Sequence, residues 1–226
     1  MKKKITISYK IIGLLLIAYT IIFGLTIAVP NLPIIEESIR NLFFHVVMWM
    51  CMFFFFLISA ANGILYLAKH DIKHDIKSAE AVNIGLLYGV IGIVTGMVWA
   101  NFTWGKPWIN DPKLNGALIS LCTYLAYKIL RKSIASDELK ARVSAVYNVF
   151  AFVILILFIY VIPMTSTSTI HPGQSGDATT IFTITKSMRM VFYPSIIGNI
   201  IIGYWLWTQR VRIKNIQNKL KNLELI

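Results

Sequence analysis

The stretch Phe43-Phe-His-Val-Val-Met-Trp-Met-Cys-Met-Phe-Phe-Phe-Phe-Leu-Ile-Ser-Ala-Ala-Asn-Gly-Ile-Leu-Tyr-Leu67 decides the fold. It is continuous, carries no Asp, Glu, Lys or Arg, and at about 1.5 Å per residue is long enough to cross a bilayer core of about 30 Å. It does not alternate apolar and polar residues as a barrel strand does. In lipid the backbone groups of such a run must be satisfied within the segment, which selects a helix. Five more long, mainly apolar runs surround it. The six predicted spans are Ile11–Val29, Phe43–Leu67, Val82–Trp99, Leu114–Leu130, Val143–Ile162 and Val191–Trp207. The expected fold is an all-α integral membrane protein with six transmembrane helices, and residues 1–226 form a single membrane domain. The composition agrees. Hydrophobic residues make up 57% and charged residues 14% of the chain, against roughly 45–50% and about 25% in soluble domains. The first run follows Lys2–Lys4 as a signal peptide would. It is longer than an h-region and is expected to be a retained span.

The net charge of +12 would suggest nucleic acid in a soluble protein. Here orientation explains it. With six spans both termini share one side, and all but five of the 22 lysines and arginines fall on that side. The exceptions are Arg40, Lys106, Lys113, Lys186 and Arg189. Lys and Arg collect on the cytoplasmic face, so both termini are expected in the cytoplasm, with no nucleic-acid partner. Six of the seven prolines, Pro30, Pro33, Pro107, Pro112, Pro163 and Pro172, fall in the outer loops, and Pro194 lies near the outer end of the last helix. Fixed φ angles there imply shaped outer loops. The inner connections, such as Ser136–Arg142, read as charged helical links.

The chain has no phosphate-binding glycine loop and no ATPase motif, so any energy source must lie in a partner. Cys51 and Cys122 fall inside spans without a C-x-x-C pattern, and both are expected to be buried small hydrophobes. His70 and His74 stand at i, i+4 in an inner loop rich in Lys and Asp, a spacing expected to give a solvated helix face. His45 and His171 differ. His45 lies about one turn inside a span, where an ionisable group is costly and marks a functional site. His171 lies in the third outer loop. Either alone also fits a hydrogen-bonded interface residue. Together, on one side and on different segments, they could ligate one metal centre, of which axial ligation of haem is an example.

The second outer loop, residues 99–116, reads Trp99-Ala-Asn-Phe-Thr-Trp-Gly-Lys-Pro-Trp-Ile-Asn-Asp-Pro-Lys113 before its last three residues. Two readings fit three Trp so closely spaced. One is an interfacial aromatic belt, which Trp205 and Trp207 at the inner end also fit. The other is an aromatic platform for a flat, apolar, anionic ligand, with Lys106 and Lys113 for its carboxylates. Haem meets the second description.

Trp104-Gly-Lys-Pro-Trp108, Asp111-Pro-Lys113 and Ala117-Leu-Ile119 resemble the tryptophan-rich signature of the haem-handling proteins of cytochrome c maturation. Phe44–Trp49 and His171–Ser175 are similar to that family's two histidine stretches. The resemblance covers about Phe43 to Trp207 and is greatest to the small six-span haem exporter protein C (CcmC) type. The longer CcsA-type synthase subunits share the signature. It implies His45 and His171 as axial ligands of haem iron, and Trp99, Trp104, Gly105, Trp108, Asp111, Pro112 and Lys113 as further haem-binding positions. It also implies an inner-membrane protein that performs no catalysis of its own. Such a protein passes haem on the outer face to a membrane-anchored haem chaperone, with ABC transporter subunits as partners. The alternative is the haem-loading subunit of a cytochrome c synthase. Asn110 stands where the family usually has a further Trp, and Val47 where Pro is common. A solute transporter, the third reading, needs a polar midplane path, for which the spans offer Ser59, Asn62, Thr95, Asn148 and Asn199.

Overall fold

A computed structural model describes residues 2–30, 35–166, 169–171 and 184–224. Among these residues the structure is all-helical. Helix α1 spans Lys2–Thr26. A 3-10 segment, Glu36–Phe43, leads into α2, His45–Lys69. Next come α3, Ile72–Trp104, and α4, Pro112–Ser133. Helix α5, Asp137–Ile156, runs through a wide turn at Leu157–Val161 into the short α6, Ile162–Thr165. Helix α7 spans Lys186–Glu224. Five stretches are long and apolar enough to cross a membrane: Ile7–Thr26, Glu37–Lys69, Ile72–Trp104, Asp137–Thr165 and Lys186–Lys221. The chain is a multi-pass membrane protein. Helix α4 packs in the same bundle, against α3 and α5. It is less apolar because Lys113, Asn115, Lys128, Arg131 and Lys132 fall within it.

Side-chain caps set three of the helix starts by satisfying first-turn N–H groups. Asp71 accepts from Lys73 N, Asp111 from Lys113 N and Leu114 N, and Ser136 from Leu139 N. The expected helical link at Ser136–Arg142 is therefore the first turns of α5. His70 ends α2 in the left-handed conformation, at φ 53°. That break corrects the expectation of one helix face bearing His70 and His74. The two belong to different elements, and His74 Nδ1 lies 3.2 Å from Asn62 Oδ1. A second correction concerns the cysteines, of which Cys51 is buried and Cys122 exposed on the outside of α4.

The bundle's two ends are tied by different chemistry. At one end Arg131 grips Asp75 through both terminal guanidinium nitrogens, at 2.6 and 2.5 Å. Arg210 pairs with Glu80 at 2.6 Å, and Trp207 Nε1 donates to Lys77 O at 3.0 Å. At the other end Arg40 donates to Gly24 O and Ile27 O, at 3.2 and 2.7 Å, fastening the 3-10 segment to the end of α1. Between the ends lies an aromatic core in which Phe56 stacks on Tyr124 at 3.5 Å.

Helices α2 and α3 pack closely because α3 carries Gly85, Gly89, Gly92 and Gly96 on the face it turns to α2. A Cβ at Gly85 would stand 2.5 Å from Phe56, at Gly89 2.9 Å from Met52, at Gly92 3.0 Å from Trp49, and at Gly96 2.6 Å from His45. Each glycine makes room for a bulky α2 side chain, Gly89 also for Leu121 of α4, and small residues let membrane helices approach in this way. The polar mid-span residues are bonded within the bundle, across helices for Asn148 and along their own helix for Asn199 and Thr95. Asn148 reaches Ser59 and Ser78, Asn199 donates to Ser195 O, and Thr95 donates to Ile91 O.

Candidate haem site

The site begins on α2. His45 is its first residue and only 8% exposed. Its Nδ1 lies 2.9 Å from Gly92 O and 3.2 Å from Thr95 Oγ1. A carbonyl can only accept, so Nδ1 carries the proton, and in the neutral ring the lone pair is then on Nε2. Backbone carbonyls orient metal-binding histidines in the same way. The ring also meets Trp49 edge to face at 6.1 Å.

About one turn further along α3, Trp99 and Trp104 meet edge to face, 4.9 Å between centroids. Trp99 Nε1 donates to Ser38 Oγ at 3.2 Å, anchoring that ring to the 3-10 segment. Helix α3 ends at Gly105, which is left-handed at φ 73° with no described residue within 4 Å of where a Cβ would stand. Gly105→Ala is therefore expected to cost only the conformational penalty, about 1 kcal/mol. Thermal unfolding of the purified variant checks this, and a cost several times larger would reveal a contact at this turn. Trp108 is half-buried and Lys106 exposed.

His171 comes to the tryptophans from the third loop. Its ring centroid lies 5.8 Å from that of Trp99 and 5.7 Å from that of Trp104. Its Nδ1 is buried with no hydrogen-bond partner among the described residues. Burial chiefly pushes its pKa down, to about 3, with the nearby charge of Lys113 and then His45 acting in the same sense and Asp111 opposing. The imidazole is thus neutral at physiological pH, as a metal ligand must be.

Asp111 is 1% exposed. One oxygen, Oδ1, caps α4 through Lys113 N at 2.8 Å and Leu114 N at 3.4 Å. The other, Oδ2, accepts from Thr169 Oγ1 at 2.8 Å and Ile170 N at 3.0 Å. Pro112 occupies the first turn of α4, where its missing N–H costs nothing. Lys113 is half-buried.

The structure therefore gathers Trp99, Trp104 and His171 into one ring cluster, and brings Asp111 and Pro112 to the loop that carries His171. His45 lies below them on α3's glycine face. Of the cations expected near a ligand, Arg40 and Arg189 are engaged with backbone carbonyls, Arg189 donating to Ile184 O at 3.0 Å. The stretch after His171, including Pro172 and Ser175, lies outside the described residues. Ser38, Thr169 and Ile170 were not singled out in the sequence, since nothing in their residue type announces a partner in a distant loop. Gly92 and Gly96 could have been found from the small-residue spacing of α3.

A buried histidine whose Nδ1 is held by a carbonyl, and a half-buried neutral one with an orphaned ring nitrogen among tryptophans, suit a flat metal-containing ligand. The fold and these residues describe a polytopic membrane protein with a histidine–tryptophan site at one end of its bundle. The chain belongs to the heme exporter protein C (CcmC) family, whose match covers residues 1–225. That is a family of cytochrome c biogenesis and haem handling. Heme exporter protein C of Paracoccus denitrificans is 22% identical over 138 residues, 61% of this chain and 57% of the relative. Cytochrome c biogenesis protein CcsA of Pelargonium hortorum is 34% identical over 88 residues, 38% of this chain and 28% of the relative. CcsA of Synechococcus sp. (strain CC9605) is 44% identical over 59 residues, 26% of this chain and 19% of the relative. The chain thus spans less than two thirds of the length of each of these curated relatives.

Proposed function

We propose that this chain is a six-span inner-membrane protein, both termini in the cytoplasm, that binds haem at the outer face and delivers it to a membrane-anchored haem chaperone. The observation that carries the reading is the paired availability of the histidines. His45 is held by Gly92 O with Nε2 free, and His171 stands between Trp99 and Trp104 with Nδ1 unpartnered among the described residues. The charge asymmetry of the chain supports the orientation, and the packing of α4 beside α3 and α5 supports a sixth span.

In this reading haem is cargo, and its iron supplies the affinity for two imidazoles. His45 and His171 hold the iron. Trp99, Trp104 and Trp108 give apolar surface to the macrocycle, and Lys113, half-buried beside His171, pairs with a carboxylate. The chain performs no bond-making itself, and ABC transporter subunits of the maturation system supply the energy for release. The local identity to CcsA proteins supports a second reading, the haem-loading subunit of a cytochrome c synthase.

The test is an absorbance spectrum of the purified protein, oxidised and reduced. The wild type is expected to show a Soret band and the split visible bands of low-spin, bis-imidazole haem. The double variant His45→Ala, His171→Ala is expected to lose at least about 90% of that signal, because both imidazole ligands are removed. A wild type without a Soret band, or a double variant with an unchanged one, removes the ligand assignment.

A further inference from the structure

Asp111 is one of the positions that the family resemblance assigns to ligand contact. In the structure both its carboxylate oxygens are engaged by groups of the protein itself. The carboxylate is 1% exposed, and both oxygens are taken. Oδ1 faces the N–H groups of Lys113 and Leu114 at the start of α4. Oδ2 faces the other way and binds Thr169 Oγ1 and Ile170 N. Thr169 Oγ1 also accepts from His171 N at 3.3 Å.

We propose that Asp111 is a positioning residue that clamps Thr169 and Ile170 to the start of α4 and thereby sets His171 between Trp99 and Trp104. The inference rests on the haem-binding reading for its purpose, although the clamp itself does not need haem. Ile170 follows Thr169 and precedes His171, so fixing its N–H and the Thr169 hydroxyl leaves the histidine backbone little freedom. A carboxylate suits the task because it is acceptor-only and offers two oxygens in opposite directions. It also stands at a helix N-terminus, where negative charge is favoured. Other acceptor-bearing side chains lose a share of this. With Asp111→Asn, the amide oxygen would cap α4 and the NH2 group would face the Ile170 N–H, donor against donor. With Asp111→Ser, the hydroxyl would cap the helix and fall short of the loop.

The experiment uses the full chain in detergent, with Asp111→Asn, Asp111→Ser and Thr169→Val beside the wild type. Two readouts are taken. The first is amide hydrogen exchange over residues 169–171 in haem-free protein. The Ile170 N–H is expected to exchange at least about tenfold faster in both Asp111 variants, with α4 retaining its protection in Asp111→Ser. The second is the spin state of added haem. All three variants are expected to lose more than half of the low-spin fraction and to regain it with added imidazole, as His171→Ala would, while keeping the wild-type thermal midpoint within a few degrees. Unchanged exchange at Ile170 overturns the clamp. So does faster exchange with a wild-type low-spin fraction, because His171 would then not depend on it. Loss of haem without imidazole rescue also overturns it, by showing a general defect. A wild type that binds no haem, with exchange responding as expected, leaves the clamp standing and removes the haem-binding reading instead.

Discussion

Arg131→Ala is expected to destabilise the protein by about 3–5 kcal/mol, the range for removing one partner of a buried ion pair. Asp75 is 5% exposed, and its two oxygens receive the two terminal nitrogens of Arg131 at 2.6 and 2.5 Å. Fork-to-fork pairs of this kind are among the stronger charge-assisted contacts. Truncation removes both of these hydrogen bonds from the carboxylate and leaves a charge in a poorly hydrated place. Lys would not substitute well, since one ammonium cannot meet both oxygens. The expected drop in thermal midpoint of detergent-purified protein is about 10 °C for a chain of this size. The paired variant Asp75→Leu, Arg131→Met should recover much of the loss, because no unpaired charge remains. A drop below about 2 °C for Arg131→Ala would mean that the pair is effectively solvated.

Gly116→Ala is the other large effect. A Cβ at Gly116 would collide with the carbonyl oxygen of Phe158, and that oxygen is backbone. Phe158 lies in the wide turn where Ile162 N donates to Leu157 O, five residues back, just before Pro163, which has no N–H to give. Proline within a helix disturbs the ladder in this way, and the backbone bulges as a result. The bulge is seated against α4 at Gly116, so the methyl group must push whole helices apart rather than turn one side chain. About 3 kcal/mol of destabilisation is expected, at the upper end of overpacking costs. Thermal unfolding measures it, and Gly105→Ala is the built-in comparison, a strained φ with open space around it. Equal costs at the two glycines would show that the contact with Phe158 relaxes freely.

The membrane-spanning helices were legible because each long apolar run carries its own instruction. Five of them recur as helices apolar enough to cross a membrane, with ends beyond the apolar core. Helix α3 starts at Ile72 rather than Val82 because its first turns are amphipathic and pack through Asp75 and Glu80. The break at His70 was illegible, since nothing in Lys69–Asp75 demands a left-handed residue there. Within the site, His45 and the tryptophan loop could be singled out by residue type and depth. The contact of His171 with Trp99 and Trp104 could not be. It depends on Asp111 reaching Thr169 and Ile170, and the resemblance pointed Asp111 at the ligand rather than at a distant loop. The glycines at 85, 89, 92 and 96 were visible, but their meaning depended on which α2 side chains face them.

The bond from Ile170 to Asp111 joins residues 59 apart in sequence, and His45 meets Gly92 across 47. Translation runs at about 5–20 residues per second, so Ile170 is made roughly 3–12 s after Asp111. Over that interval the tryptophans exist without their histidine. The site is therefore completed late in synthesis: a chain that ends before its third loop holds His45 and Trp99 but not the closed cluster.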